Sequence, residues 1–151
     1  MNEGDERSRN SEAAEAMARG ITRLMRNRDE TCLTEFTLKT GRRVDVITLD
    51  RKGLFTVIEI KSSISDFRSD NKWHEYLDFC DRFYFAVPLK FPTNILPTKN
   101  GLIIADGYSA EILRESAPRS MNAARRKALT LRFARTAATR LMRLTKPLID
   151  V

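Results

Sequence analysis

The sequence predicts an α/β sandwich, a mixed β-sheet with helices against it. Three observations carry this. Helical and strand periodicities follow one another in the order helix, three-strand meander, helix, strand, strand, C-terminal helix. Two Gly-containing breaks divide the β-branched stretch from Thr31 to Ser63 into short antiparallel strands. The run GLIIADG is apolar almost throughout, as a strand covered on both faces must be. A chain of 151 residues is long enough for one substantial core. No linker or repeat divides it, so residues 11–151 are expected to form a single domain behind a disordered start at 1–10.

The elements follow in order. Met17, Ile21, Leu24 and Met25 recur at helical spacing within 11–28, with Asn10 or Ser11 available as N-cap. Strands are predicted at about 32–38, 43–50 and 54–62. SISDFRSDN, residues 63–71, reads as a polar connection. A helix is predicted at 71–81 with Trp73, Leu77 and Cys80 on one face. DRFYFAVP is a strand ended by Pro88. FPTNILPTKN is a proline-bounded loop, GLIIADG a buried strand and AEILRES a short strand or turn. A long helix spans 122–145.

Composition narrows the function. The net charge of +7 favours an anionic partner. No apolar run reaches the length of a membrane span, and the polar N-terminus is unlike a signal peptide. A cytoplasmic, nucleoid-associated protein with no membrane partner is expected. Cys32 and Cys80 are far apart and read as reduced thiols, and His74 is the sole histidine. That argues against a zinc site and against a histidine-based triad.

The stretch VIEIKSS places Glu59 and Lys61 in an otherwise buried-looking strand, where ionised groups need a partner or a task. Hairpin geometry supplies one. RKG, Arg51 to Gly53, reads as a three-residue loop with Gly53 at its left-handed position. Asp45 and Glu59 are each seven positions from Lys52, so they face each other, with Cβ atoms about 4.5–5.5 Å apart. Lys61 shares the face of Glu59. Two opposed carboxylates repel; a shared cation reverses the sign, and Mg²⁺ is suited to one or two carboxylates completed by water and phosphate. KTG, Lys39 to Gly41, is a similar loop centred on Thr40, which sets Glu35 opposite Asp45; a four-residue loop would turn Glu35 to the other face. Glu15 on the first helix is another candidate third acid. In the same register Arg43 faces Lys61, two like charges that call for an anion nearby, such as a scissile phosphate. Glu59 and Lys61 are expected to face a cleft.

With RRVDV, VIEIKSS and the helix after them, the pattern resembles the PD-(D/E)XK nuclease superfamily and its restriction-endonuclease-like fold. Asp45 matches the motif's Asp, Glu59-Ile60-Lys61 its (D/E)XK, and Val44 stands where the family has Pro. GRRVDV, EIKSSISDFRSDNKWHEYLDFCDRFYFAVP and ARRKALTLRFARTAATRL further resemble the MmcB family of bacterial DNA-repair endonucleases, over roughly residues 13–145. The resemblance implies a central four-stranded mixed sheet flanked by helices. It implies metal-dependent phosphodiester hydrolysis, with Mg²⁺ (or Mn²⁺) held by Asp45, Glu59 and the carbonyl of Ile60, and Lys61 orienting the nucleophile. Some relatives carry Gln-x-x-x-Tyr on the following helix; here Tyr76 matches the Tyr and Lys72 stands in place of the Gln, the two lying four apart on one helical face. DNA, damaged or branched, is the implied partner, along with other repair proteins. The alternative is a non-cleaving nuclease-fold module that recognises damaged DNA and recruits repair proteins.

Residues 116–149 contain no Asp or Glu but hold Arg119, Arg125, Arg126, Lys127, Arg132, Arg135, Arg140, Arg143 and Lys146. With Leu129, Phe133, Ala137, Leu141 and Leu144 as its apolar face, this is a basic amphipathic helix. Phosphate-backbone contact is expected from Arg125, Arg126, Lys127 and Arg132, joined by Arg42, Arg43 and Lys72. Trp73 is expected in the core.

Overall fold

A computed structural model of the chain describes the backbone of residues 3–149 and the side chains of residues 3–145. Met1, Asn2 and the Lys146 side chain lie outside this description. Helix α1 spans Glu3–Asn27, strands β1 to β3 span Thr31–Thr37, Arg43–Leu49 and Phe55–Ile60, and helix α2 spans Ile64–Ser69. A 3-10 segment follows at Trp73–Phe79. Strand β4 spans Arg82–Val87, β5 Gly101–Ala105, β6 Ala110–Arg114, and helix α3 Ala123–Ile149. The six strands form one mixed sheet in chain order: β3, β4 and β5 run parallel to one another, and the outer pairs are antiparallel. The sheet is flanked by helices as predicted, with six strands in place of four.

Two turns fix the first three strands. Leu38 and Arg42 close a loop of Lys39, Thr40 and Gly41, and Asp50 and Leu54 close one of Arg51, Lys52 and Gly53. Gly41 and Gly53 have φ of 87° and 84°, a region that suits glycine. The resulting ladders pair Thr34 with Val46 and Val46 with Ile58, the predicted register in both hairpins. The Asp50 carboxylate accepts from the Lys52 and Leu54 N–H groups and tightens the second turn.

Each sheet face buries its own core. On one, Met17, Ile21 and Met25 of α1 pack on Val46, Ile58, Ile60, Tyr84 and Ile103. On the other, Leu129 and Phe133 of α3 and Trp73 and Tyr76 pack on Phe36, Val44, Ile47, Phe55, Val57, Phe83 and Phe85. α3 is fastened by Arg126, whose guanidinium reaches both oxygens of Asp81 and the Gly53 carbonyl, at 2.5–2.8 Å.

Four sequence expectations change. α1 begins eight residues early, at Glu3, across the stretch expected to be disordered; Glu3, Asp5 and Glu6 complement the helix dipole, and Asp5 pairs with Arg9 one turn on. The polar connection at 63–71 contains α2, capped by Ser63, whose Oγ accepts from the Asp66 N–H. The helix at 71–81 is a 3-10 segment. At three residues per turn Trp73 and Tyr76 share the buried face, so exposed Lys72 and buried Tyr76 do not share one. On α3, Leu129 and Phe133 are buried, but Leu141 and Leu144 are 62% and 79% exposed, because the helix runs past the β1 edge. Among the described residues no helix is long and apolar enough to cross a membrane.

α1 approaches the β5–β6 turn at Gly20, where a Cβ would lie 2.3 Å from the Asp106 carbonyl oxygen and 2.7 Å from that of Ser109. Gly20→Ala must push the helix off the turn, so urea denaturation should show a loss of about 1–3 kcal/mol. Unchanged stability would contradict this close approach.

Candidate functional site

The hairpin register places Asp45 opposite Glu59, but the β2–β3 ladder stops one pair short, at Val46 and Ile58. Beyond it the carboxylates replace backbone acceptors. Asp45 Oδ2 accepts from the Ile60 N–H at 2.8 Å, and Glu59 Oε1 accepts from the Asp45 N–H at 3.1 Å. Each carboxylate keeps a second oxygen outside these bonds. β1 is irregular at the matching place: Glu35, with φ of 48°, interrupts the ladder between Thr34 and Phe36.

The acids open to different sides. Glu59 lies between Ile58 and Ile60, which face α1, so its side chain points to the α3 side. There it is 5% exposed and Lys61 4%, beneath α2 and the 3-10 segment, so neither faces an open cleft. Asp45 and Ile60 instead line a cavity of about 570 Å³ under α1, together with Glu15 and Glu35. Both proposed third acids therefore border the Asp45 cavity. Yet among the described residues no three His, Cys, Asp or Glu side chains converge closely enough to hold a metal.

Burial dominates the electrostatics. Desolvation pushes the Asp45 carboxyl up to about 6, against the opposing pull of the Ile60 N–H and Lys61. Desolvation, then the neighbouring Asp45, raises Glu59 well above its usual range. Burial disfavours the Lys61 ammonium, but a 2.5 Å bond to Asp70 Oδ2 together with the charges of Glu59, Asp66 and Asp70 outweighs it and leaves the Lys61 pKa raised. Burial likewise opposes ionisation of Asp70, while its bonds to Lys61 and the Lys72 N–H hold its carboxyl low. The Tyr76 hydroxyl is pushed up to about 12, first by burial and then by the field of Glu59, Asp70 and Asp45.

The donor chemistry fits a hydrated hard cation. Two carboxylates that burial above all makes reluctant to ionise flank the β2–β3 divergence at Ile60, with one oxygen each outside their backbone bonds. That suits Mg²⁺ or Mn²⁺, which take one or two carboxylates and keep water, and does not suit an all-protein calcium or zinc cage.

The predicted DNA contacts divide. Arg126 is tied to Asp81 and is a structural anchor. Arg42 pairs with Glu75 at 2.8 Å. Arg43 is exposed past the end of the β2–β3 ladder and is not opposed to Lys61, whose partner is Asp70. Lys127 and Arg132 are exposed, as is Arg125, which stacks 5.1 Å over the Phe79 ring. Trp73 is buried on Phe83 and Phe85, with His74 stacked on its outer face. Cys32 and Cys80 are free thiols.

Sequence reasoning missed Asp66 and Asp70, which it placed in a loop, and Arg19, Arg23 and Arg26, which line the Asp45 cavity. The arginine spacing of four and three marks one helical face and could have been read.

The chain matches a family model described as MmcB-like, DNA repair protein MmcB-like, over residues 1–148. Among solved structures it is similar to a protein of unknown function from Silicibacter pomeroyi. The two share 44% identity at a TM-score of 0.86, over 89% of this chain and 92% of that one. No curated protein matches.

The raised pKa values give stability a sign. A carboxyl at about 6 in the folded state and about 3.9 unfolded is stabilising when protonated. That contribution is present below about pH 4 and is lost as pH rises through 6, at most about 3 kcal/mol. Glu59 acts in the same direction. In chelator, wild type should therefore be less stable at pH 7.5 than at pH 5, and Asp45→Asn should be more stable than wild type at pH 7.5. Urea denaturation at both values checks this, and a flat wild-type profile contradicts it. Arg126→Ala leaves Asp81 buried without its partner, so it should cost about 3 kcal/mol of stability; a fully stable variant would show that the residue is not an anchor.

Proposed function

The chain belongs to the MmcB-like family of DNA repair proteins, and from that premise we propose that it is a metal-dependent endonuclease hydrolysing phosphodiester bonds of damaged or branched DNA. The observation that carries this reading is the divergence of β2 and β3 at Asp45 and Glu59. It brings together two carboxyls that neither the ladder nor the core requires to be acidic. An amide there could accept the same N–H groups and would avoid the cost of burying a charge.

In this reading Asp45, Glu59 and the Ile60 carbonyl hold Mg²⁺ or Mn²⁺, which when bound supplies Lewis-acid polarisation of the phosphoryl group and a more acidic water. The chain's own groups do the rest. Lys61, kept charged by Asp70, is a hydrogen-bond donor and not a general base. It can orient a nucleophilic water or balance negative charge at phosphorus. Arg19, Arg23 and Arg26 line the same cavity and can position phosphates flanking the scissile one. The water oxygen bonds to phosphorus, the P–O bond to the leaving oxygen breaks, the water's proton passes to solvent, and the leaving oxygen takes up a proton from solvent. Lys72 and Tyr76 play no joint role here, since one is exposed and the other buried.

A second reading is a nuclease-fold module that binds damaged DNA and recruits repair proteins without cutting. It is favoured by the burial of Glu59 and Lys61 and by the engagement of Lys61 with Asp70.

Two measurements separate the readings. Millimolar Mg²⁺ or Mn²⁺ should raise the melting temperature of wild type by mass action, and much less that of Asp45→Asn. Purified protein with either metal should cut at least one of a panel of nicked, flapped, abasic and crosslinked DNAs, and Asp45→Ala or Lys61→Ala should lower the rate at least about 100-fold. No cutting by wild type, or equal cutting by Asp45→Ala, removes the endonuclease reading and leaves the binding module.

A further inference from the structure

A second, larger cavity of about 1050 Å³ lies on the opposite face of the sheet, between α3 and the β1–β2 hairpin. Its charged lining is entirely basic: Lys39, Arg125, Arg132, Arg135, Arg140 and Arg143. Phe79, Leu129 and Leu131 add apolar surface. A groove of cations with apolar and aromatic patches suits a nucleic-acid strand, whose phosphates meet the cations and whose bases meet the rest.

The two cavities meet at one place. Arg140 of the α3 groove donates to the carbonyls of Thr34 and Glu35, at 2.7 and 3.0 Å, and Thr34 and Glu35 line the Asp45 cavity. β1 pairs only with β2, so it is the edge of the sheet, and Glu35 sits on that edge with left-handed backbone. Basic side chains thus run along α3 to Arg140, over the edge, and on to Arg26, Arg23 and Arg19 of α1. A ligand using both cavities must turn around a single β-strand. Duplex DNA, with a persistence length of about 50 nm, resists such a turn, and a single strand does not.

We propose that one single strand of DNA lies in the α3 groove, crosses the β1 edge at Glu35 and Arg140, and enters the Asp45 cavity, so that the protein selects single-stranded or flapped DNA. This deepens the reading above by naming its substrate class, and it rests on that reading only for what happens at Asp45. Among the described residues Glu35 is the one acid on the crossing, and it works against a polyanion there.

Binding in chelator tests it, because no cleavage intervenes. Fluorescence anisotropy would compare labelled single strands of about 6 and about 16 nucleotides with a duplex of the longer length. The long single strand should bind roughly tenfold tighter than the duplex. Arg135→Gln/Arg143→Gln should weaken both single strands roughly tenfold and flatten the salt dependence. Arg19→Gln/Arg26→Gln should weaken the long strand alone, and Glu35→Gln should tighten it. The path is overturned if duplex binds as tightly as single strand, if the α3 variant binds normally, or if the α1 variant leaves the long strand unaffected. Selective binding without any cutting in metal removes the endonuclease reading and keeps the path. Cutting of duplex without this selectivity does the reverse.

Discussion

Three strands are locked to one another by two tight turns, and most of the candidate site follows from that register. Gly41 and Gly53 take backbone angles that let each loop close in three residues. Inserting a residue into either loop would slip the pairing and exchange the faces of a whole strand. With the turns as they are, Asp45 is brought opposite Glu59, and Glu35 opposite Asp45, just where the ladders give way. The strand backbones separate, and the carboxylates accept the N–H groups left over. A local break in hydrogen bonding thus becomes a place where acidic side chains are held by the chain itself.

Burial then decides how these charges behave. Desolvation is the main cost, so Asp45 and Glu59 both titrate upward; repulsion adds to it, from Asp66 and Asp70 at Asp45 and from Asp45 at Glu59. Lys61 offsets this only in part, and its short bond is to Asp70. Asp70 is delivered by α2, which Ser63 and Asp66 cap. The same segment packs Phe67 against Phe85 and Phe91 and leads into the 3-10 segment that buries Trp73 and Tyr76. The lid over Glu59 and Lys61 is therefore fastened by an ion pair at one end and aromatic packing along its length. Opening it would expose apolar surface and break a buried pair at once.

The mixed sheet with its flanking helices, the two hairpin registers and the Asp45–Glu59 apposition were legible because each rests on a local signal: alternation, a glycine at a fixed offset, or an apolar run. The lid was not. Nothing in SISDFRSDN states that Asp70 will reach back nine positions to Lys61, since that needs the helix between them. The 3-10 geometry of Trp73–Phe79 was hidden as well; a pattern of apolar residues at 73, 76, 77 and 80 suits an α-helix equally. On α3 the amphipathic period was correct, but sequence cannot tell where the sheet beneath it ends, so Leu141 and Leu144 were assigned a partner they lack. Arg126 and its exposed neighbours look alike in ARRK, and only the position of Asp81 separates anchor from surface.

The arrangement has a thermodynamic consequence for ligands. A phosphate entering the Asp45 cavity meets Asp45, an acid that burial already makes reluctant to ionise, beside the cavity's arginines, so without a cation its binding is weakened and favours proton uptake by Asp45. A divalent cation, bound as proposed, changes the sign of that interaction. Phosphate and cation would then each strengthen the other's binding by the same factor. The α3 groove has no acid in its lining and carries no such linkage. One strand laid across both would feel a salt-dependent attraction on one face and a cation-dependent one on the other. The β1 edge at Glu35 is the boundary between the two.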